Sequence, residues 1–195
     1  MTYRRALATS VALAAAVTLA ACGGEEAPPP PAPEPTAQGP DMDSLRAYED
    51  SVRAAEEQAR AEAAERERAI ADARAVLEQR VHFDYDQSAI TADAENVLRQ
   101  KVEILRASPA VEIRLEGHAD ERGSVEYNLA LGNRRAQSVL DFFTQQGLPA
   151  NRFQTTSFGE ERPVNSASNE AAWAQNRRVE FVIVSGGSAI NPPGM

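Results

Sequence analysis

Residues 115–139 read LEGHADERGSVEYNLALGNRRAQSV, and a change of period inside that stretch decides the fold. Leading into it, Val111, Ile113 and Leu115 alternate with Glu112, Arg114 and Glu116, the two-residue repeat of a strand with one face buried. Gly117 ends the alternation. His118–Ser124 is polar, carries a second glycine at Gly123, and reads as a loop. From about Glu126 the apolar spacing becomes helical. At about 100° per residue, Ala136, Leu140 and Phe143 fall within roughly 40° of Leu129, and Leu131, Val139 and Phe142 widen the arc. Arg134 lies outside that arc and Arg135 inside it, between Phe142 and Val139. A guanidinium on a buried face must be paired, because an isolated buried charge is very costly. The acidic loop upstream, with Asp120 and Glu121, can hold part of that pairing. Helix and loop thus present an arginine and an aspartate at the edge of a core, a constellation suited to a zwitterionic ligand.

Outward from this stretch, the pattern predicts one α/β domain. Val81 and Phe83 alternate with His82 and Asp84 as a strand that leaves through the polar loop Asp84–Ser88. Ala94, Val97, Leu98, Ile104 and Leu105 follow at helical spacing, with Thr91 as a cap and Pro109 closing the connection. After the central strand and second helix, Gly147-Leu148-Pro149 makes a stop, and Phe153–Phe158 reads as a third strand ending at Gly159. A short helix around Glu170–Ala174 precedes Val179–Val184, a run apolar on both faces apart from Glu180, as an interior strand is. The order predicts a two-layer βαβαβ(β) sandwich, helices packed on one sheet, over residues 80–185. Gly186–Met195, rich in Gly and Pro, reads as a flexible tail.

The N-terminal part has a different composition. Arg4 and Arg5 precede the apolar run Ala6–Ala21, which is too short and alanine-rich for a spanning helix and reads as a secretory signal over residues 1–21. Its end, Leu19-Ala20-Ala21-Cys22, resembles a bacterial lipobox, which makes Cys22 the expected lipidation site. The alternative is an ordinary signal peptide with Cys22 a passive thiol. Gly23 stands where an aspartate would resemble an inner-membrane retention signal, so the expected location is the outer membrane, facing the periplasm. In residues 22–41, seven of the chain's twelve prolines lie between Pro28 and Pro40, an extended linker. Residues 42–79 then lack Gly and Pro and are rich in Ala, Glu and Arg, with Asp43 or Ser44 as cap and Glu49–Arg53 and Glu56–Arg60 at i,i+4. A helix there spans roughly 57 Å. Leu45, Tyr48, Val52, Ala55 and Ala59 fit a coiled-coil seam, which fails at Glu62 and Arg66; a solvated spacer is the simpler reading.

Composition and motifs narrow the function. A net charge of −9 disfavours nucleic acid, and one cysteine excludes an intramolecular disulfide. His118 with Asp120 and Glu121 lacks the further ligands a metal site needs, and reads instead as a strand-end residue bonded locally. There is no phosphate loop and no nucleophile elbow. Asp84 and Asp86 could serve a glycosidase, but aspartates directly after a strand are ordinary turn formers. Neither a catalytic residue nor a cofactor is expected.

GHADERGSVEYNLALGNRRA (117–136), FDYDQSAI (83–90), SFGEERPV (157–164) and NEAAWAQNRRVEF (169–181) together resemble, in order, the OmpA-like peptidoglycan-binding family, in its branch of peptidoglycan-associated lipoproteins. The resemblance covers roughly residues 80–184. It implies that Asp120 and Arg135 hold the diaminopimelate of the peptidoglycan stem peptide, and that Asn128, Leu131 and Asp86 are further contacts. It also implies a tether between outer membrane and cell wall within the Tol–Pal system, with Tol proteins such as TolB as partners and a part in envelope integrity and constriction at division. A generic OmpA-like lipoprotein outside that system, or a lipid-anchored cell-wall hydrolase, stands as the alternative.

Overall fold

A computed structural model describes residues 41–194. The signal segment, Cys22 and the proline-rich linker up to residue 40 lie outside the described residues. Among the described residues no helix is long and apolar enough to cross a membrane.

Helix α1 runs Met42–Glu78. Its start is fixed by Asp41, whose carboxylate accepts from Asp43 N and whose carbonyl accepts from Leu45 N, so Asp41 caps the helix rather than Asp43 or Ser44. Leu45, Tyr48 and Val52 are exposed, and burial begins only towards the other end, at Ala73 and Leu77. That end is held by Lys101, whose Nζ donates to the carbonyls of Val76, Leu77 and Gln79.

Strand β1 is Val81–His82, α2 is Ala92–Ala107, and β2 is Glu112–His118. Helix α3 is Val125–Gln145, β3 is Phe153–Gly159, α4 is Glu170–Asn176, and β4 is Arg178–Ser185. The sheet order is β1-β4-β2-β3, with β2 and β3 parallel and β4 antiparallel to both its neighbours. β4 is interior, which explains its apolar composition on both faces. The N-caps are Thr91, Ser124 and Asn169, each accepting from the backbone N–H three residues on. This is the expected α/β architecture. Ile113, Leu115 and Phe181 meet Leu98, Leu105, Val139 and Phe143 in one core.

Two expectations shift. The buried face of α3 is Asn128, Leu131, Gly132, Arg135, Ala136, Val139 and Phe143, while Leu129 and Leu140 sit at its edge, because Gly132 lets the backbone itself approach the sheet. The last residues are also docked rather than loose. Ile190 is buried in the core, Asn191 N donates to Ser108 Oγ, and Arg74 donates to the carbonyl of Gly187.

Candidate functional site

The loop after β2 and the start of α3 enclose a small cavity of about 130 Å³ whose lining includes Asp86, Asp120, Asn128, Leu131 and Arg135. All five residues picked out from the sequence therefore meet at one place, with Tyr85, Arg122, Gly123 and Tyr127 completing the rim. A larger open groove of about 880 Å³ runs along β1 and the N-terminus of α2, but it contains none of the five.

Arg135 is fully buried, and the helical count places it correctly, but its pairing is not the expected one. Neither Asp120 nor Glu121 bonds it. Its Nε donates to the carbonyl of Gln87 at 2.8 Å, one terminal nitrogen to that of His118 at 2.7 Å, and the other to that of Asp84 at 3.1 Å. Two segments far apart in sequence, the loop at 84–87 and the end of β2, are thus pinned to α3 by one guanidinium. Burial, then the charge of Arg177, push its pKa down to about 10, which leaves it cationic at neutral pH.

Asp120 is buried too, and it pairs with two arginines that sequence reading did not single out. Arg122 Nε and NH2 donate to its two oxygens at 3.1 and 2.7 Å, and the Arg122 backbone N–H adds a third bond. Arg177, itself buried just before β4, donates to Asp120 at 3.3 Å and to the carbonyl of Phe83 at 3.1 Å. Burial works to raise the Asp120 pKa, but the Arg122 hydrogen bonds outweigh it and hold the carboxyl below its ordinary value. Glu121 turns away and accepts from Trp173 Nε1.

Asn128 braces the loop, its amide donating to the carbonyls of Asp120 and Arg122 and to Glu160. Leu131 is the apolar floor, 5% exposed. Asp86 takes a left-handed backbone (φ 55°), which an aspartate tolerates in a turn, and accepts from the Tyr127 hydroxyl. The signal for Arg177 lay in the doubled arginine at the start of β4, which repeats the pattern of Arg134-Arg135. Arg177 and Arg178 both turn inward, which nothing in the spacing alone says.

His118 is not bonded locally through its ring as expected. The side chain is 1% exposed, neither ring nitrogen has a partner, and the ring stacks on Phe158. Glu116 and Glu180 lie close enough for a cation to be shared with it. Those carboxylates are already balanced by Arg114, Arg178 and Arg80, so the cluster carries more positive than negative charge and is poorly suited to a metal ion.

Residues 82–177 match the OmpA family. The peptidoglycan-associated lipoprotein of Brucella melitensis is 47% identical over 108 residues, which cover 55% of this chain and 64% of that protein. That of Agrobacterium fabrum is also 47% identical over 108 residues, covering 55% of this chain and 61% of its own length. The chain thus spans less than two thirds of the curated relatives it matches. The crystal structure of the peptidoglycan-associated lipoprotein from Burkholderia pseudomallei superposes with a TM-score of 0.53 at 37% identity, covering 54% of this chain and 89% of that one.

Proposed function

Since the chain belongs to the OmpA family, we propose that it is a non-catalytic tether that holds peptidoglycan by the diaminopimelate of a stem peptide. The observation that carries this reading is the shared cavity: a carboxylate, Asp120, and a guanidinium, Arg135, line one small space over an apolar floor. Diaminopimelate ends in an ammonium and a carboxylate on one carbon, the complement of that pair. Of the five N–H donors on a guanidinium, Arg135 commits three to main-chain carbonyls. One N–H remains on each terminal nitrogen, the pair with which an arginine forks onto a carboxylate. Asp86, Asn128 and Leu131 are the further contacts in this reading.

Calorimetric titration with stem peptides tests it. A peptide with lysine in place of diaminopimelate lacks the carboxylate and leaves the inner arginine without its acceptor, a loss of about tenfold to a hundredfold in affinity. Equal affinities for the two peptides would remove the assignment. Purified sacculi should bind the protein without releasing soluble fragments, and release would favour the hydrolase alternative.

In the same reading, lipid on Cys22 holds the chain to the outer membrane on its periplasmic side, and α1 provides reach to the wall. Cys22→Ser should then give a soluble periplasmic protein or an unprocessed precursor. A role in the Tol–Pal system, with partners such as TolB, rests on the resemblance of residues 119–128 alone, and a pull-down from envelope extract tests it.

A further inference from the structure

Asp120, the acceptor assigned above to a ligand ammonium, is already fully engaged. Its Oδ1 accepts from the backbone N–H and the Nε of Arg122, both at 3.1 Å. Its Oδ2 accepts from Arg122 NH2 at 2.7 Å and Arg177 NH1 at 3.3 Å. Four donors fill the roughly four lone-pair positions a carboxylate offers. An incoming ammonium can bond Asp120 only if one arginine gives way.

The two arginines differ in how firmly they are held. The Arg177 side chain is 8% exposed, and its Nε is fixed to the carbonyl of Phe83 inside the domain. Arg122 is 28% exposed; both arginines also reach Glu170, itself 63% exposed, Arg122 through NH1 at 3.3 Å and Arg177 through NH2 at 3.0 Å, so exposure and the Phe83 bond are what separate them. Its guanidinium also lies between two aromatic rings, 4.0 Å from the centroid of Tyr85 and 4.2 Å from that of Trp173. Those rings attract the cation through its flat face and leave its N–H edge able to change partner.

We infer that Arg122 is the resident cation of this site and sets its selectivity: it fills the acceptors of Asp120 until a ligand ammonium displaces it onto Glu170. The inference rests on the reading of Asp120 and Arg135 given above and adds a reason for discrimination. A ligand with an ammonium alone must exchange a two-point guanidinium contact for a one-point one. A ligand with an ammonium and a carboxylate on one carbon also gains Arg135, which offsets the exchange. Arg122 therefore works against simple amines more than against zwitterions.

The test is calorimetric titration of the protein, R122Q and R122K with a diaminopimelate stem peptide and its lysine counterpart, alongside fluorescence. Trp173 is the chain's single tryptophan, so its emission reports on the guanidinium stacked against it. In R122Q the lysine peptide should gain about tenfold in affinity and the diaminopimelate peptide less, so discrimination shrinks; R122K should fall between, since an ammonium cannot make the two-point contact. Saturating diaminopimelate peptide should move the wild-type Trp173 emission towards that of unliganded R122Q. Circular dichroism of both variants establishes that they are folded. Unchanged discrimination in a folded R122Q overturns the inference alone, as does loss of diaminopimelate binding in that variant, which would make Arg122 a ligand contact. Failure of the wild-type protein to bind either peptide, or equal binding of both, overturns the reading of Asp120 and Arg135 and this inference with it.

Discussion

Gly117 on β2 and Gly132 on α3 cross backbone to backbone. A Cβ added to Gly117 would lie 1.9 Å from the Gly132 carbonyl oxygen, and one added to Gly132 would lie 2.8 Å from the Gly117 oxygen and 2.3 Å from Ser157 Oγ. Each glycine stands three residues ahead of a site residue, Asp120 and Arg135 respectively. The crossing sets the height of α3 above the sheet, and with it the 2.7 Å reach of Arg135 to the carbonyl of His118.

Gly132→Ala follows from that crossing. In a free helix the change gains about 1 kcal/mol of propensity. Here the methyl has no room, and overpacking against backbone costs about 1–3 kcal/mol or more. The variant should be less stable than the parent by denaturant titration, and its peptide affinity should fall because α3 lifts away from Asp120. An unchanged or raised unfolding midpoint would show that α3 yields without cost.

Arg135→Ala should damage the fold as well as the site. Three carbonyls, those of Asp84, Gln87 and His118, lose their donor together. An unsatisfied buried acceptor costs on the order of 1–3 kcal/mol, and of the three only the His118 carbonyl sits in a fully buried bond, so a loss of about 1–3 kcal/mol in denaturant titration is expected. Arg134→Ala is the control, since Arg134 is exposed on the other side of the helix and approaches only the ring of Tyr127, at 5.6 Å. Arg135→Lys should keep more stability than Arg135→Ala without restoring the preference for diaminopimelate, because an ammonium cannot fork. Equal stability of the Arg134 and Arg135 alanine variants would contradict the buried bonding.

Most of the fold was legible because periodicity reports one-sided burial directly. The alternation over Val111–Leu115, the Thr91 cap and the apolar run after Arg178 each fixed an element. The inward turn of Arg135 came from the same count. Its partners did not, because main-chain carbonyls carry no signature in the sequence. The same holds for Arg152, which donates to the carbonyls of Leu105, Ser108 and Val111, and for Lys101 of α2, which donates to carbonyls at the end of α1. Buried cations that stitch loops to helix ends look in one dimension like surface charges. Ile190 was missed for a related reason: its Gly- and Pro-rich surroundings outweighed one apolar residue.

Lys101 anchors the spacer helix. It is fully buried, its Nζ lies 3.8 Å from the Phe181 ring centroid, and it donates to three carbonyls at the end of α1. Burial pushes its pKa down to about 7, while the charge of Glu78 works the other way. Lys101→Met should fill the volume and leave the helix end without donors, at about 1–3 kcal/mol for each acceptor that water cannot reach. Hydrogen exchange should then accelerate over residues 70–79 while β2 and α3 stay protected. Uniform acceleration across the domain would mean that Lys101 supports the whole core rather than the helix junction.

His118 should make stability fall in mild acid. Burial first, then the charge of Arg178, push its pKa down to about 4, with Glu180 acting in the opposite direction and Arg162 and Arg80 adding to the fall. In the unfolded chain the imidazole titrates near 6.5. Between those values the unfolded chain binds the proton and the folded one does not, so this contribution is fully present above about pH 6.5 and is lost as pH falls towards 4. The shift corresponds to about 2.5 kcal/mol between pH 7 and pH 4.5. His118→Phe keeps a ring to stack on Phe158 and removes the titrating group. Every other titrating side chain is shared by the two proteins, so the difference between them reports on His118. Denaturant titrations at the two pH values should show the parent losing about 2.5 kcal/mol more than His118→Phe; equal losses would mean that the buried imidazole accepts a proton without cost.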